Sequence, residues 1–161
     1  MRSHKLIAGL ALATGLAAPA VLAATPAHAT AASCRVDLFK IVANNVAEKD
    51  GQDELRFEVD GNLFPKFGDK YHAMKSGDTA YAAAFGNPTT LLVVGSGNES
   101  FDLREVTPPI VSDGDHLGWA TAYQSTCEGL SAGQHADDTT IIQGTDETAY
   151  TYTVTLRQTR Q

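Results

Sequence analysis

From residue 33 onward, apolar and polar positions alternate with a period of two through much of the chain, the pattern of strands that bury one face. Cys34–Val42 reads as a first strand, with Val36, Leu38 and Lys40 on one side and Asp37, Phe39 and Ile41 on the other. The clearest case is Asp53–Asp60, where Leu55, Phe57 and Val59 oppose Glu54, Arg56 and Glu58, predicting one buried and one wet face. Asp60-Gly61 signals a turn into a short strand around Leu63 and Phe64. Lys75-Ser76-Gly77-Asp78 is a second turn, with a strand predicted over Thr79–Phe85. Thr89–Val94 is a continuous apolar run, as expected of a strand buried on both faces.

Gly95–Ser100 reads as a loop, and Asp102–His116 as a long connection because it holds Pro108, Pro109, Asp113, Gly114 and Asp115. Leu117–Thr126 is predicted as a strand carrying Trp119 and ending at Cys127, followed by a polar connection over Glu128–Asp138. Thr139–Ile142 and Ala149–Leu156 form a hairpin around Gly144-Thr145-Asp146, with Tyr150, Tyr152, Val154 and Leu156 facing one way. About eight short strands, evenly spaced turns and no amphipathic helix predict an all-β fold, an antiparallel sandwich of C2-like or immunoglobulin-like type.

The beginning of the chain departs from this pattern. Arg2 and Lys5 precede an apolar run over Leu6–Ala24, and Ala27-His28-Ala29 supplies small residues at a cleavage site. Residues 1–29 therefore read as a secretory signal peptide, and 30–161 as a single sandwich domain that is secreted and extracellular, with no membrane association after cleavage. The signal segment carries Arg2 and Lys5 and no acid, so the remaining 132 residues hold 10 basic and 19 acidic side chains, a formal charge of −9. Such a surface repels nucleic acid and anionic lipid. In an oxidising compartment the two mature cysteines, Cys34 and Cys127, are expected to pair and to pin the first strand to the strand of Trp119.

Candidate chemistry is sparse. No serine sits in a nucleophile elbow, His72, His116 and His135 are scattered, and no zinc motif occurs, so no catalytic residue is assigned and the chain is read as non-enzymatic with no obligatory cofactor. Oxygen donors cluster in loops, and Asp50, Asp53, Glu99, Asp102, Asp113 and Asp115 are candidate calcium ligands, although none fits the EF-hand spacing. Pro108, Pro109 and Ile110 form a rigid extended segment, a candidate partner-binding or protease-inhibitor loop. Trp119 beside a disulfide reads as core, by analogy with the buried tryptophan of disulfide-bridged sandwiches; exposed, it and the tyrosines would stack on carbohydrate.

One stretch carries a resemblance. Asp53–Asp60 followed by Gly61, Tyr71 before Met74-Lys75-Ser76-Gly77-Asp78, the strand Leu91–Val94 and Asp115-His116-Leu117-Gly118 are together similar to small secreted bacterial β-sandwich domains of C2-like shape. The resemblance implies a calcium- or partner-binding module. The loop after Val94 carries Asn98 and Glu99 where a calcium-dependent member would carry paired aspartates. Size, export signal and single disulfide are also similar to the adaptor subunit of secreted umbrella-shaped toxin particles. The expectation from the whole sequence is thus a secreted, non-enzymatic adaptor for an extracellular protein partner.

Overall fold

The computed structural model describes residues 32–66, 71–108 and 113–161. The predicted signal peptide, like Pro109 and Ile110 of the proline segment, lies outside the described residues. Ten strands form two antiparallel sheets. In sheet A, β1 (Ser33–Asn45) pairs on one side with β10 (Ala149–Arg160), which pairs with β9 (His135–Thr145). On its other side β1 pairs successively with β6 (Thr89–Val93) and β5 (Thr79–Tyr81). In sheet B, β2 (Gln52–Val59) lies between β7 (Glu99–Glu105) and the short strands β3 (Asn62–Phe64) and β4 (His72–Lys75), and β8 (Asp115–Ala122) pairs with β7. The result is the expected antiparallel β-sandwich. Among the described residues no helix is long and apolar enough to cross a membrane.

The core lies between the sheets and is filled by the period-two positions. Leu55, Phe57 and Val59 of β2 and Phe101 and Leu103 of β7 share one buried cluster with Tyr152, Val154 and Leu156 of β10. Phe57 makes edge contacts with Phe85, at 5.1 Å between ring centres, and with Phe101, at 6.5 Å. The pairing of β1 with β10 shifts register between Leu38 and Lys40. That bulge moves Ile41 into the core with Val36 and Leu38, correcting its expected place beside Asp37.

Several other expectations are corrected. The region from Asp102 is not all connection, since Glu99–Glu105 is a strand with Phe101, Leu103 and Glu105 inward. Thr89–Val94 is not buried on both faces: β6 is an edge strand, with Leu92 buried and Leu91 exposed. The strand predicted over Thr79–Phe85 ends at Tyr81, where one 3-10 turn, Ala82–Phe85, brings Phe85 into the core. The strand of Trp119 ends at Ala122, and Gln124–Glu128 forms the short helix α1, which carries Cys127. The disulfide to Cys34 is formed, so it joins the first strand to this helix rather than to the tryptophan strand itself. The last hairpin is longer than expected, beginning at His135 and ending at Arg160. Glu54 and Arg56, expected on a wet face, are both buried.

Candidate functional site

Trp119 is not in the core. It is 59% exposed, and it is the only tryptophan of the chain. The cause is the pairing of β8 with β7. Gly118, Ala120 and Ala122 stand opposite Leu103, Phe101 and Glu99, and Leu117 is the extra residue of a bulge between Leu103 and Arg104. The small residues take the inward positions, and a Cβ at Gly118 would stand 2.7 Å from Cγ2 of Ile142. There is no room for an indole on that side, and alternation sends Trp119 outward. The run of small residues at 118, 120 and 122 is the sequence signal that placed it there.

Around Trp119 the outer face of sheet B is a ladder of fixed polar groups. The His116 and Trp119 ring centres lie 4.0 Å apart. His116 donates from Nδ1 to Asp102 Oδ1 at 2.5 Å, and Asp102 is the register partner of Trp119. Arg104 donates from Nη1 to Asp102 Oδ2 at 2.6 Å and lies 3.2 Å from Glu58 Oε2. Its remaining donors reach the chain before β8, Nε to the carbonyl of Asp113 at 2.8 Å and Nη2 to that of Gly114 at 2.7 Å. The guanidinium is thus clamped on four acceptors, which fixes the carboxylates beside the indole. Beyond Glu58 the same sheet carries an open depression lined by Arg56, Gly61, Asn62, Leu63 and Lys66. Three strand spacings, about 14 Å in all, separate β8 from β3 across this face. An exposed aromatic ring flanked by immobile donors and acceptors is suited to recognition, because its groups lose little freedom when a ligand arrives.

The six carboxylates read as calcium ligands do not form one set. Asp50 lies in the turn after β1 and accepts from the Gln52 backbone N–H at 2.9 Å. Asp53 is fully buried on the inner side of β2, whereas Asp102 belongs to the outer ladder. Glu99 opens β7, where burial and then the charge of Asp60 push its carboxyl up. Asp113 and Asp115 flank the start of β8. Among the described residues no group of three or more histidine, cysteine, aspartate or glutamate side chains is arranged to hold a metal ion. Pro108 is exposed just beyond the end of β7. Of the tyrosines that would stack on carbohydrate if exposed, Tyr150 and Tyr152 are buried, whereas Tyr81 and Tyr123 are exposed.

A second polar cluster, unforeseen from the sequence, closes one end of the core. Asp53 accepts from the backbone N–H groups of Ala47, at 2.6 Å, and Glu48, at 2.9 Å, and from the hydroxyl of Tyr152. Burial, then the bond to Asp53, raises the Tyr152 phenol far above its ordinary range. Glu105, 4% exposed, is hydrogen-bonded to the carboxyl of Glu48, and burial first and that bond second push it up to about 8. The signal was an acid in phase with core positions: Asp53 with Leu55 and Phe57, Glu105 with Phe101 and Leu103.

No protein-family model matches the chain, and no curated protein matches it. Among solved structures it is similar to one that holds the two C2 domains of Extended-Synaptotagmin 2, with a TM-score of 0.47 and 12% identity over 92% of this chain and 48% of that one. The chain therefore spans about half the length of that two-domain protein. A likeness at this level describes a broadly similar arrangement of strands and says nothing of ligands.

Proposed function

We propose that the chain is a secreted, non-enzymatic adaptor module that docks an extracellular protein partner on the outer face of sheet B. The observation that carries this reading is the exposure of Trp119 beside His116 and the clamped Asp102–Arg104–Glu58 ladder. Tryptophan and arginine are the side chains most often found at binding hot spots, and truncating one costs at least about 2 kcal/mol, roughly a thirtyfold loss of affinity. The charges of this ladder are largely matched among themselves, so docking on this face needs no strongly charged partner. In its narrower form the reading is an accessory subunit of an extracellular toxin complex. Nucleic acid stays outside it, given the formal charge of −7 over the full chain.

The test is capture with tagged mature protein from its own culture fluid, in calcium and then in chelator. A stoichiometric partner retained by wild type and by Leu91→Ala, on the opposite sheet, and lost by Trp119→Ala is the expected result. A protein that stays alone in both buffers sinks the reading, and capture indifferent to Trp119→Ala removes this face from it. Partner release by chelator alone would bring the acidic loops back as calcium ligands.

A second reading, carbohydrate binding by the same face, is favoured by one feature: a flat exposed ring with hydrogen-bonding groups held in place around it. Because Trp119 is the sole tryptophan, a fluorescence titration with soluble oligosaccharides reads this face directly. Unchanged emission at millimolar sugar would dismiss it.

A further inference from the structure

Among the described residues, the end of the sandwich away from the disulfide gathers carboxyl groups around Asp53 and Glu105. The turn between β1 and β2 is held there by Asp53, which accepts from Ala47 and Glu48, and by Thr148, whose N–H donates to the Ala47 carbonyl at 2.7 Å and whose hydroxyl donates to those of Val46 and Ala47. The end of β7 is held by the Val106 N–H donating to the Glu54 carbonyl at 2.9 Å. Between these two anchors lie Glu48 and Glu105. Among the described residues Glu105 Oε2 is buried without a hydrogen-bond partner, and the Glu105 side chain is hydrogen-bonded to the carboxyl of Glu48. Two carboxylates repel; a hydrogen bond between them exists only if one holds a proton.

The groups facing the pair decide whether that proton stays. From the β1–β2 turn come Glu48 and Asp50, from β2 Asp53 and Glu54, from β8 Asp115 in register with Glu105, from the β9–β10 turn Asp146, and from β10 the phenols of Tyr150 and Tyr152. All are acids or phenols. The nearby cation Lys49 is mostly exposed and sits 3.8 Å from Glu147. We propose that Glu105 and Glu48 share one proton and act as a proton-operated latch, which closes the β1–β2 turn onto the end of β7 while the proton is held and releases it when the proton is lost. This latch stands independently of the ligand face on the outer side of sheet B.

The direction follows from linkage. A carboxyl raised from 4.5 in the unfolded chain to about 8 in the fold keeps its full stabilising effect below pH 4.5. That effect is lost as pH rises through the window up to about 8, and the loss levels off above it. The latch is therefore closed in acid and neutral media and opens in mild alkali.

The test is carbon-13 NMR of the glutamate carboxyls in wild-type protein, with amide exchange at Ala47 and Glu48 and melting temperature measured from pH 5 to pH 9. Glu105 is expected to titrate near pH 8, with Ala47 and Glu48 exchanging faster above it than in Glu105→Gln at the same pH. The fall in melting temperature with rising pH should be lost in Glu105→Gln, whose amide donates to Glu48 without a titrating proton. Glu48→Gln, which offers Glu105 a neutral donor, should move the titration to lower pH. A Glu105 that titrates in the ordinary carboxylate range overturns the latch, and this reading needs no variant to fold. The same pH slope in Glu105→Gln overturns it as well. So does millimolar calcium protecting Ala47 and Glu48 at pH 8 in wild type but not in Glu105→Gln, because the pair would then hold a cation.

Discussion

Asp53 shows how one residue can organise an end of the fold. Its carboxylate is fully buried yet meets three donors, two of them backbone groups of the preceding turn and the third the Tyr152 hydroxyl. Removing it strands all three in a dry environment, a larger cost than the net worth of the bonds themselves. Asp53→Ala is expected to destabilise the protein by about 3–5 kcal/mol, and Tyr152→Phe, which leaves the two backbone bonds intact, by about 1–2 kcal/mol. Urea unfolding at pH 7 checks both, and equal effects would mean that the turn contacts contribute nothing. At this scale the sequence was legible as phase but not as chemistry. Alternation put Asp53 on the face of Leu55 and Phe57, yet aspartate in a turn-rich acidic chain reads as a solvated loop residue. Only the fold brings Tyr152, 99 positions away, to its carboxylate. Trp119 is the converse: its chemistry invited a core assignment, and the small residues at 118, 120 and 122 overruled it.

Elements were legible where alternation ran clear of breakers. The core-facing sides of β2 and β10 were read correctly because no bulge or proline interrupts them, although Glu54 and Arg56 on the other side of β2 are buried as well. β7 was hidden because its seven residues adjoin a stretch rich in proline, aspartate and glycine, and the turn signals outweighed Phe101 and Leu103. Helix α1 was hidden because five residues are too few to show a helical period. It is fixed from outside, by the Gln124 N–H donating to Asn98 Oδ1 at 2.9 Å and by the Thr126 hydroxyl donating to Asp138 Oδ1 at 2.9 Å. The pairing of Cys127 with Cys34, 93 positions apart, fastens this helix to the start of β1. Closing a loop of that length restricts the unfolded chain, and the double variant Cys34→Ala/Cys127→Ala is expected to lose about 4–5 kcal/mol in the chain-entropy picture. Thermal unfolding with and without reductant measures it; reduction that leaves the midpoint unchanged would show that helix and strand hold together without the bond.

The whole molecule is a sandwich whose two sheets approach along one open side, where β8 and β9 run as edges without pairing to each other. Exposed edges invite association with other chains. Here side chains of β9 cover part of the edge of β8. Asp138 accepts from the Tyr123 N–H at 3.0 Å, from the Thr126 hydroxyl at 2.9 Å and from Gln158 Nε2 at 2.5 Å, joining the end of β8, helix α1 and β10 at one carboxylate. Further along, Thr140 Oγ1 accepts from the Thr121 N–H at 3.4 Å and the Tyr150 hydroxyl donates to the Leu117 carbonyl at 2.9 Å. The bonds from Tyr123, Thr121 and Tyr150 cross between the layers, so their loss acts on the docking of two preformed sheets rather than on either sheet alone. Asp138→Ala is expected to cost about 2–4 kcal/mol and to raise amide exchange at Tyr123 while leaving the β2 ladder protected. It should also increase self-association at high protein concentration, because an uncovered edge finds its complement on a second copy. Exchange rates together with sedimentation velocity separate the two effects. Uniformly faster exchange through both sheets would mean that Asp138 supports global stability alone; faster exchange confined to Tyr123 and its neighbours, with dimer formed at high concentration, identifies the seam as the place where the sandwich opens.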